Sequence, residues 1–579
     1  MTPISAGIRH VMAAALAMLM VASLAQAQAQ VAFMPGAGTE GRQWLPDRPT
    51  AINPSKRYTV VIQDDVIVTA RDGTRLDGRL FLPVLAAGTP PTPCVLMTDG
   101  YGRTSSTGAS FEGTLFEIAS RGYAVLHLSL RGSGASGGTA TLYNEFGHDG
   151  YDAIAWMAQQ SWCDGRVGMV GPSLLGISQW LAAKEAPPGL KAIVPEVACG
   201  DCYGLLWYPG GMLPGPGREA RKLSPGAEGE YATAIQHRNL DDWWRRNTTQ
   251  ADDVAAIAGR GVAAFIAGGL DDYISPANIR IYEQFDAPGG ARKRLFLGPY
   301  AHGWHTEYIQ ELQIQWLDHW LKGIANGADT APRVMLYIKG ANRWRYENDW
   351  PIPDARPVPL FFTAARSGSI ASLNDGSLAA APPAGAPASP AVVRYAPGTG
   401  PFLPVLLSAT VGRSADDQRE AEAKVLTWTT PPLTVATEVT GYPKLSVWAA
   451  ASATDGDLVF SLDDVAPDGT SRQVIQAYLN APHAASLTAP TPLPPGVVQH
   501  YTFDMLPTAY VFQAGHRLRL ALAGGARAAA DLPFPQGPGP NPAANDWTVL
   551  SDPAHPSSLE LPVIGSSWEP LSHLAAAQP

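Results

Sequence analysis

The chain has 579 residues, of which 46% are hydrophobic and 16% are charged, so it can bury more than one core and is not a disordered polypeptide. Its formal net charge is −10, and its sequence contains no run of lysines or arginines. This balance argues against nucleic acid or an anionic membrane surface as the main partner, and we expect two or three globular domains.

Residues 1–29 have the composition of a secretory signal peptide. Arg9 and His10 precede an apolar run over residues 11–24, and an Ala-x-Ala cleavage pattern follows between Ala25 and Ala29. A retained N-terminal anchor is the alternative. No later stretch is long and apolar enough to cross a bilayer, so the sequence predicts a protein exported to the periplasm or the medium after the signal peptide is cleaved.

Strand-like and helix-like runs alternate from residue 30 to about residue 330. An Asp-Gly turn at 72–73 joins two predicted strands into an antiparallel hairpin. The later alternation predicts an α/β domain with a parallel sheet, whose active site lies at the carboxyl ends of the strands. The predicted strands are 58–68, 76–82, 94–98, 123–128, 167–170, 191–197, 262–267 and 294–297, and the predicted helices are 111–120, 150–159, 177–183, 276–285 and 308–322.

The segment from 200 to about 258 breaks this alternation, because glycine, proline and tryptophan are dense in it. We interpret it as a cap inserted over the active site. Its tryptophans Trp207, Trp243 and Trp244 either line an acyl or aromatic pocket or pack the cap on the core.

Residues 331–579 carry short alternating apolar runs separated by glycine, proline and Asp-Gly turns. Examples are 334–338, 445–449, 458–462 and 518–522. This pattern predicts an all-β sandwich as the C-terminal domain.

Ser173 lies where an apolar strand meets a helix, in the sequence GPSLLG. A serine in such a turn projects its hydroxyl above the sheet edge and beside the N–H groups of the helix, which is the arrangement of a nucleophile elbow. Gly171 and Gly176 leave room for the strand to pass close to the helix. The match to G-x-S-x-G is imperfect, because Leu175 occupies the position of the second glycine.

A serine nucleophile needs a histidine base and a carboxylate that orients the histidine. In an α/β-hydrolase these follow the serine in the order acid, then histidine, each at a strand end. The strand 262–267 is followed by Asp271 and Asp272, and the strand 294–297 is followed by His302. His305 is a poorer base because it lies three residues further from the strand end. The pattern predicts a Ser-Asp-His triad.

Several motifs resemble the cocaine-esterase and X-Pro dipeptidyl-peptidase-like serine hydrolases. The elbow segment 162–176 is similar to the pattern G-x-S-Y-x-G of that family. Further similar segments are 131–138, 298–302, 316–323, 340–345 and 514–519. The resemblance covers nearly all of the chain after the signal peptide, and it implies an α/β-hydrolase domain with an inserted helical cap, followed by a jelly-roll domain.

The resemblance also assigns roles to residues. It implies that Ser173 is the nucleophile, His302 the general base and Asp272, rather than Asp271, the orienting carboxylate. The oxyanion hole implied by the family is the backbone N–H of Leu174 and the hydroxyl of Tyr101, for which an ordinary loop aromatic is the alternative. Leu174 stands where the family has tyrosine, which changes the wall of the pocket and leaves the N–H in place.

The sequence therefore predicts an exported serine hydrolase that cleaves an ester or amide of a small molecule, with no metal or organic cofactor. An X-Pro dipeptidyl peptidase is the alternative within the class. A catalytically inert protein that binds a surface or a carbohydrate is the alternative from another class. Oligomeric state is left open.

Substrate charge can also be predicted. Related α-amino acid ester hydrolases hold the substrate ammonium with carboxylates, two of which follow the catalytic aspartate by two and three residues. The corresponding residues here are Ile274 and Ser275, and Asp201 is the only acidic residue between Glu196 and Glu219. A neutral acyl group is therefore favoured.

The chain has four cysteines. An oxidising compartment permits Cys199 to pair with Cys202, which the sequence does not settle. Cys94 lies in an apolar run and is interpreted as a small buried hydrophobic residue.

Overall fold

The computed structural model describes residues 57–139, 142–212, 233–234, 236–272, 274–286, 290–300, 302, 307–384, 389–396, 400, 403–404, 407–408, 412–413, 417–527 and 544–574. The predicted signal peptide and His305 lie outside these described residues.

A mixed ten-stranded sheet organises the first half of the chain, in the order β1-β2-β4-β3-β5-β6-β7-β8-β9-β10. The strands are β1 (Val60–Thr69), β2 (Arg75–Pro83), β3 (Thr92–Asp99), β4 (Ala124–Ser129), β5 (Cys163–Pro172), β6 (Leu190–Glu196), β7 (Ala263–Gly269), β8 (Lys293–Gly298), β9 (Val334–Ile338) and β10 (Arg343–Glu347). The predicted hairpin β1–β2 is antiparallel, and pairing is parallel from β4 through β9.

Helices connect and cover the strands of this sheet. They are α1 (Ser106–Ala109), α2 (Glu112–Ser120), α3 (Phe146–Ala158), α4 (Leu174–Lys184), α5 (Asp242–Asn247), α6 (Ala251–Gly259), α7 (Ser275–Gln284) and α8 (Glu307–Lys322). Strands β4 and β7, which the helices cover, are buried along their whole length. They therefore occur in the sequence as continuous apolar runs. Close contact is visible at Gly168, where an added Cβ would lie 2.9 Å from both Leu317 and Leu321 of α8.

The structure differs from the sequence interpretation at residue 334. The run 334–338 was expected to begin the C-terminal sandwich, but β9 pairs in parallel with β8, and β10 closes the sheet as an antiparallel edge. Alternation in a short strand does not reveal which sheet the strand joins. The ten-stranded sheet therefore extends to Glu347, past the predicted domain boundary at residue 330.

The 200–258 segment contains a π-helical turn (Tyr203–Trp207), a 3₁₀ turn (Pro209–Gly211) and the helix α5. Trp207 and Trp244 are fully buried among aromatic neighbours. Helix α6 is different, because its Val254 and Ile257 pack into the hydrophobic core of the ten-stranded sheet. Helix α6 therefore belongs to the layer that covers the sheet, although it lies within the segment predicted as a cap.

A second, mainly antiparallel sheet of thirteen strands forms most of the remaining chain, with the main order β13-β26-β19-β27-β11-β12-β17-β24-β20-β21. Strand β18 pairs with β23 and β27, and β22 pairs with β19. Its strands are β11 (Arg356–Thr363), β12 (Gly376–Ala379), β13 (Ala391–Tyr395), β17 (Leu426–Thr429), β18 (Thr437–Gly441), β19 (Lys444–Ala451), β20 (Asp457–Val465), β21 (Ser471–Asn480), β22 (Gln499–Asp504), β23 (Thr508–Phe512), β24 (Arg517–Ala523), β26 (Asn545–Leu550) and β27 (Ser558–Ile564).

The remaining elements of the C-terminal half are short. They are the strands β14 (Leu403–Pro404), β15 (Leu407–Ser408), β16 (Gly412–Arg413) and β25 (Ala526–Arg527), the helices α9 (Arg419–Glu422) and α10 (Trp568–Leu571), and the 3₁₀ turns Ala481–His483 and Gly565–Ser567.

The four cysteines form two disulfides. Cys199 bonds Cys202, and Cys94 bonds Cys163. Cys94 is fully buried as expected, but the sequence interpretation did not foresee its disulfide with Cys163. Its partner lies 69 residues away at the start of β5, next to β3 in the sheet, and such a pairing follows from strand order, which the sequence alone does not give.

Candidate active site

Four loops at the carboxyl ends of parallel strands meet at one place on the ten-stranded sheet. Tyr101 follows β3, Ser173 follows β5, Asp272 follows β7 and His302 follows β8. The carboxyl edge of a parallel sheet collects the functional side chains of successive βα units, so residues that are distant in sequence become neighbours here. The structure thus brings together the four side chains that the sequence singled out.

Ser173 sits in a sharp turn between β5 and α4, with φ 54° and ψ −125°. Positive φ is strained for a residue with a Cβ atom, and the neighbouring packing holds it there. The Ser173 N–H donates to the carbonyl of Glu196 at 2.8 Å. An added Cβ at Gly171 would lie 2.7 Å from Leu175, and one at Gly176 would lie 2.6 Å from Ala198, so both positions require glycine. This is the geometry of a nucleophile elbow.

His302 connects the serine to a carboxylate. Its Nε2 atom lies 3.0 Å from Oγ of Ser173, and its Nδ1 atom lies 3.0 and 3.1 Å from the two carboxylate oxygens of Asp272. Asp272 is fully buried, and its carboxylate also accepts the N–H of Ile274 at 3.0 Å. Because a carboxylate only accepts, Nδ1 carries the proton and Nε2 is left to receive the proton of the Ser173 hydroxyl.

The structure separates the two neighbouring aspartates. The carboxylate of Asp271 pairs with the ammonium of Lys339, and its N–H donates to the carbonyl of Tyr300 at 2.9 Å. The carboxylate of Asp272 meets the imidazole of His302. His319 lies in α8, where its Nδ1 donates to the carbonyl of Ile324 at 3.1 Å.

Two groups are placed to hold an oxyanion. The hydroxyl of Tyr101 donates to Oγ of Ser173 at 3.2 Å, so it lies beside the atom that would attack a carbonyl. Leu174 is the first residue of α4, and the N–H groups of a first helical turn have no partner within the helix. The Tyr101 hydroxyl and the first turn of α4 therefore both lie beside the Ser173 hydroxyl.

One residue of the site was missed by sequence reasoning. Asp99 ends β3, and its carboxylate accepts the backbone N–H of Tyr101 at 2.8 Å. A carboxylate two residues before a candidate oxyanion donor, immediately before a glycine, is a recognisable Asx-turn signal that the sequence offered.

The wall beside the serine is apolar. Leu174 is partly buried against a cluster that contains Phe146, Trp207 and Ile274. Ser275 is buried and donates its hydroxyl to the carbonyl of Gly269. Ile274 and Ser275 thus present no charge.

Asp201, the acidic residue of the 200–258 segment nearest to the elbow in sequence, is held by its own loop. It accepts the N–H of Gly204 at 3.0 Å, and loss of hydration raises the pKa of its carboxyl. In the described part of the chain, no group of three or more metal-ligating side chains is placed to hold an ion. No helix within the described ranges has the length and apolar character needed to cross a bilayer.

Two family models match the chain. Residues 72–223 match the X-Pro dipeptidyl-peptidase (S15 family), and residues 326–560 match the X-Pro dipeptidyl-peptidase C-terminal non-catalytic domain. Cocaine esterase of Rhodococcus sp. (strain MB1 Bresler) is 28% identical over 535 residues, which cover 80% of this chain and 90% of that protein.

Solved structures are similar at lower identity. A CocE/NonD family hydrolase from Staphylococcus aureus superposes with a TM-score of 0.68 at 20% identity, covering 87% of this chain and 94% of the other. An α-amino acid ester hydrolase superposes with a TM-score of 0.66 at 20% identity, covering 90% and 98%. These two structures show that the fold is shared, with an α/β-hydrolase domain followed by a β-rich domain.

Proposed function

We propose that this serine hydrolase, which belongs to the cocaine-esterase and X-Pro dipeptidyl-peptidase-like family, cleaves an ester or amide bond through an acyl-enzyme on Ser173. The observation that carries the proposal is the continuous hydrogen-bonded chain from Asp272 through His302 to Ser173. An inert binding protein has no need to keep this chain and the strained backbone of the serine together.

The chemistry follows from these contacts. His302 Nε2 takes the proton of the Ser173 hydroxyl as Oγ attacks the carbonyl carbon, and Asp272 stabilises the imidazolium that forms. The imidazolium then donates its proton to the leaving oxygen or nitrogen as that bond breaks. Water repeats the sequence on the acyl-enzyme, releasing the acid and restoring the serine.

Tyr101 and the N–H of Leu174 supply the oxyanion hole in this proposal. Negative charge develops on the carbonyl oxygen only as the tetrahedral intermediate forms. Donors that are already in place need no reorganisation at that moment, and each is typically worth about 10²–10³ in rate.

The proposed substrate has a neutral acyl group. Among the described residues, those packed beside Leu174 form a hydrophobic cluster, and neither Ile274 nor Ser275 carries a charge. An ammonium brought into such a pocket would lose hydration worth several kcal/mol with nothing to offset it.

The architecture and compartment complete the proposal. We assign the 200–258 segment, without α6, as the helical cap and the thirteen-stranded sheet as the jelly roll. Export follows from residues 1–29, and two disulfides suit an oxidising compartment.

An X-Pro dipeptidyl peptidase is the second candidate, because both family models carry that description. The discriminating experiment compares matched esters that differ only by an α-amino group, together with a neutral anilide and an Xaa-Pro anilide, by kcat/KM near pH 7. Ser173→Ala measures background hydrolysis. We expect the neutral ester to be preferred. Preference for the aminated ester by more than about tenfold, or for the Xaa-Pro anilide, would favour the peptidase.

A further inference from the structure

Asp99 and His127 form a fully buried pair beneath the candidate oxyanion hole. Oδ2 of Asp99 lies 3.0 Å from Nε2 of His127, and both side chains have 0% exposure. They come from the adjacent parallel strands β3 and β4. This pair takes no part in the proton transfers of the triad, so the reaction at Ser173 does not account for a carboxylate buried there.

The other oxygen of Asp99 points to the loop that carries Tyr101. Oδ1 accepts the backbone N–H of Tyr101 at 2.8 Å, and the Tyr101 hydroxyl in turn lies 3.2 Å from Oγ of Ser173. Each carboxylate oxygen therefore has one donor, and the chain His127–Asp99–Tyr101 ends at the nucleophile.

The imidazole of His127 is oriented by this pair alone. Its Nδ1 atom is buried and has no hydrogen-bond partner among the described residues. With the ring proton on Nε2, the imidazole donates a hydrogen bond to Asp99, and Nδ1 carries a lone pair that has no donor. A buried lone pair without a donor costs less free energy than a buried N–H without an acceptor. The tautomer of the ring is thus fixed by the carboxylate that it holds.

The surrounding backbone packs closely against the Asp99 carboxylate. An added Cβ at Gly108 would lie 2.6 Å from Oδ2 of Asp99 and 2.2 Å from the carbonyl oxygen of Gly102. The carbonyl of Asp99 accepts the N–H of Leu130 at 2.9 Å and the hydroxyl of Ser133 at 3.0 Å. The Asp99 side chain is therefore a rigid support for the residue two positions later.

We infer that Asp99, held by His127, is a positioning residue that fixes the Tyr101 hydroxyl for oxyanion stabilisation. The phenol oxygen is at the far end of a long side chain, so a small rotation of the Tyr101 peptide moves it by a large fraction of an ångström. Displacement of a catalytic group by about 1 Å costs about 10² in rate. This inference rests on the proposed function, because it gives Tyr101 its role in the ester reaction.

The test is a double-mutant cycle between Asp99 and Tyr101. An asparagine at 99 offers one oxygen and one NH₂ group, so one of the two donors that meet Asp99 loses its acceptor. We expect Asp99→Asn to lower kcat for a neutral ester about tenfold while KM changes less than about twofold. In the Tyr101→Phe background the same substitution lowers kcat by less than about twofold, because the hydroxyl that it positions is gone.

Asp318→Asn is the matched control. Asp318 is also a buried carboxylate with two donors, the Tyr123 hydroxyl and the Lys322 ammonium, both at 2.7 Å. It has no contact with Tyr101 in the described structure, so its effect on kcat is expected to be small and equal in both backgrounds. Melting temperatures of all variants separate loss of fold from loss of positioning.

A second pair of variants serves where Asp99→Asn does not fold. His127→Gln keeps an N–H donor for Asp99, whereas His127→Leu removes it. We expect kcat in His127→Gln to stay at least about fivefold above kcat in His127→Leu, and this gap to vanish in the Tyr101→Phe background. Equal losses in the two backgrounds, or no loss from Asp99→Asn, would overturn the inference while Ser173-dependent hydrolysis persists. Hydrolysis that survives Ser173→Ala would instead overturn the proposed function.

Discussion

Lys339 and Asp271 form an ion pair that joins the end of the first sheet to the loop of the triad. Lys339 follows β9, and its backbone bonds both Ala509 and Val511 of the second sheet, at 3.0 and 2.8 Å. Asp271 immediately precedes Asp272. Two adjacent carboxylates in one loop therefore have different partners, Lys339 for Asp271 and His302 for Asp272.

This division predicts unequal effects of the same change. Asp272→Asn removes the acceptor that sets the tautomer of His302, and kcat is expected to fall by about 10⁴. Asp271→Asn keeps the His302 contact, so the fall in kcat is expected to stay within about tenfold. Ester hydrolysis by both purified variants, with melting temperatures as a control for folding, checks this. Similar losses in the two would contradict the assignment of Asp272.

Tyr101→Phe tests the oxyanion hole. The substitution keeps the ring and removes the donor that lies 3.2 Å from Ser173 Oγ. An oxyanion donor acts mainly in the transition state, so kcat is expected to fall by about 10²–10³ with little change in KM. A loss well below about tenfold would make Tyr101 an ordinary loop aromatic.

The two disulfides are predicted to differ in their contribution to stability. The Cys94–Cys163 bond spans 69 residues, whereas the Cys199–Cys202 bond spans three. In the chain-entropy model, closing a loop of this length stabilises the fold by about 4 kcal/mol for Cys94–Cys163 and by about 2 kcal/mol for Cys199–Cys202. Thermal unfolding of the Cys94→Ser/Cys163→Ser and Cys199→Ser/Cys202→Ser double variants should show the larger loss for the first. A larger loss for the second would show that loop closure is not the dominant effect.

Stability is predicted to depend on pH through Asp457 in the second sheet. Burial, with Asp455 nearby, raises the pKa of the Asp457 carboxyl from 3.8 to about 7. The protonated acid is favoured in the folded state, so its stabilising contribution is full below about pH 4 and is lost as pH rises through about 7. Asp457→Asn should therefore melt close to the wild type at pH 4 and several degrees above it at pH 8.

The control for this pH experiment is Asp546→Asn, at a partly exposed carboxylate of the same sheet that pairs with Arg394. Its difference from the wild type should not grow between pH 4 and pH 8. If the melting temperature of the wild type instead rose above that of Asp457→Asn as pH increases, the raised pKa of the buried Asp457 carboxyl would be contradicted.

Much of the α/β half could be predicted from sequence, because strands buried on both faces and separated by helices leave an unmistakable apolar pattern. The order of Ser173, Asp272 and His302 along the chain was enough to place them at three strand ends, where the structure finds them within hydrogen-bonding distance. These predictions rested on local hydrophobic patterns and on the topology of parallel sheets.

What could not be predicted depends on contacts between distant segments. Alternation in 334–338 identified a strand without telling which sheet it joins. The Cys94–Cys163 bond requires β3 and β5 to be neighbours, and the burial of α6 in the sheet core requires the crossover between β6 and β7. The Asp99–His127 pair is invisible for the same reason, since its members are 28 residues apart and meet only through strand pairing.

The central claim is that Ser173 becomes acylated. The most direct measurement is labelling of the purified protein with a fluorophosphonate probe, followed by peptide mass spectrometry and by ester turnover of Ser173→Ala. We expect a single modified residue, Ser173, no labelling in the Asp272→Asn variant on the same time scale, and loss of turnover in Ser173→Ala. A label on another residue, or undiminished turnover without the Ser173 hydroxyl, would contradict it.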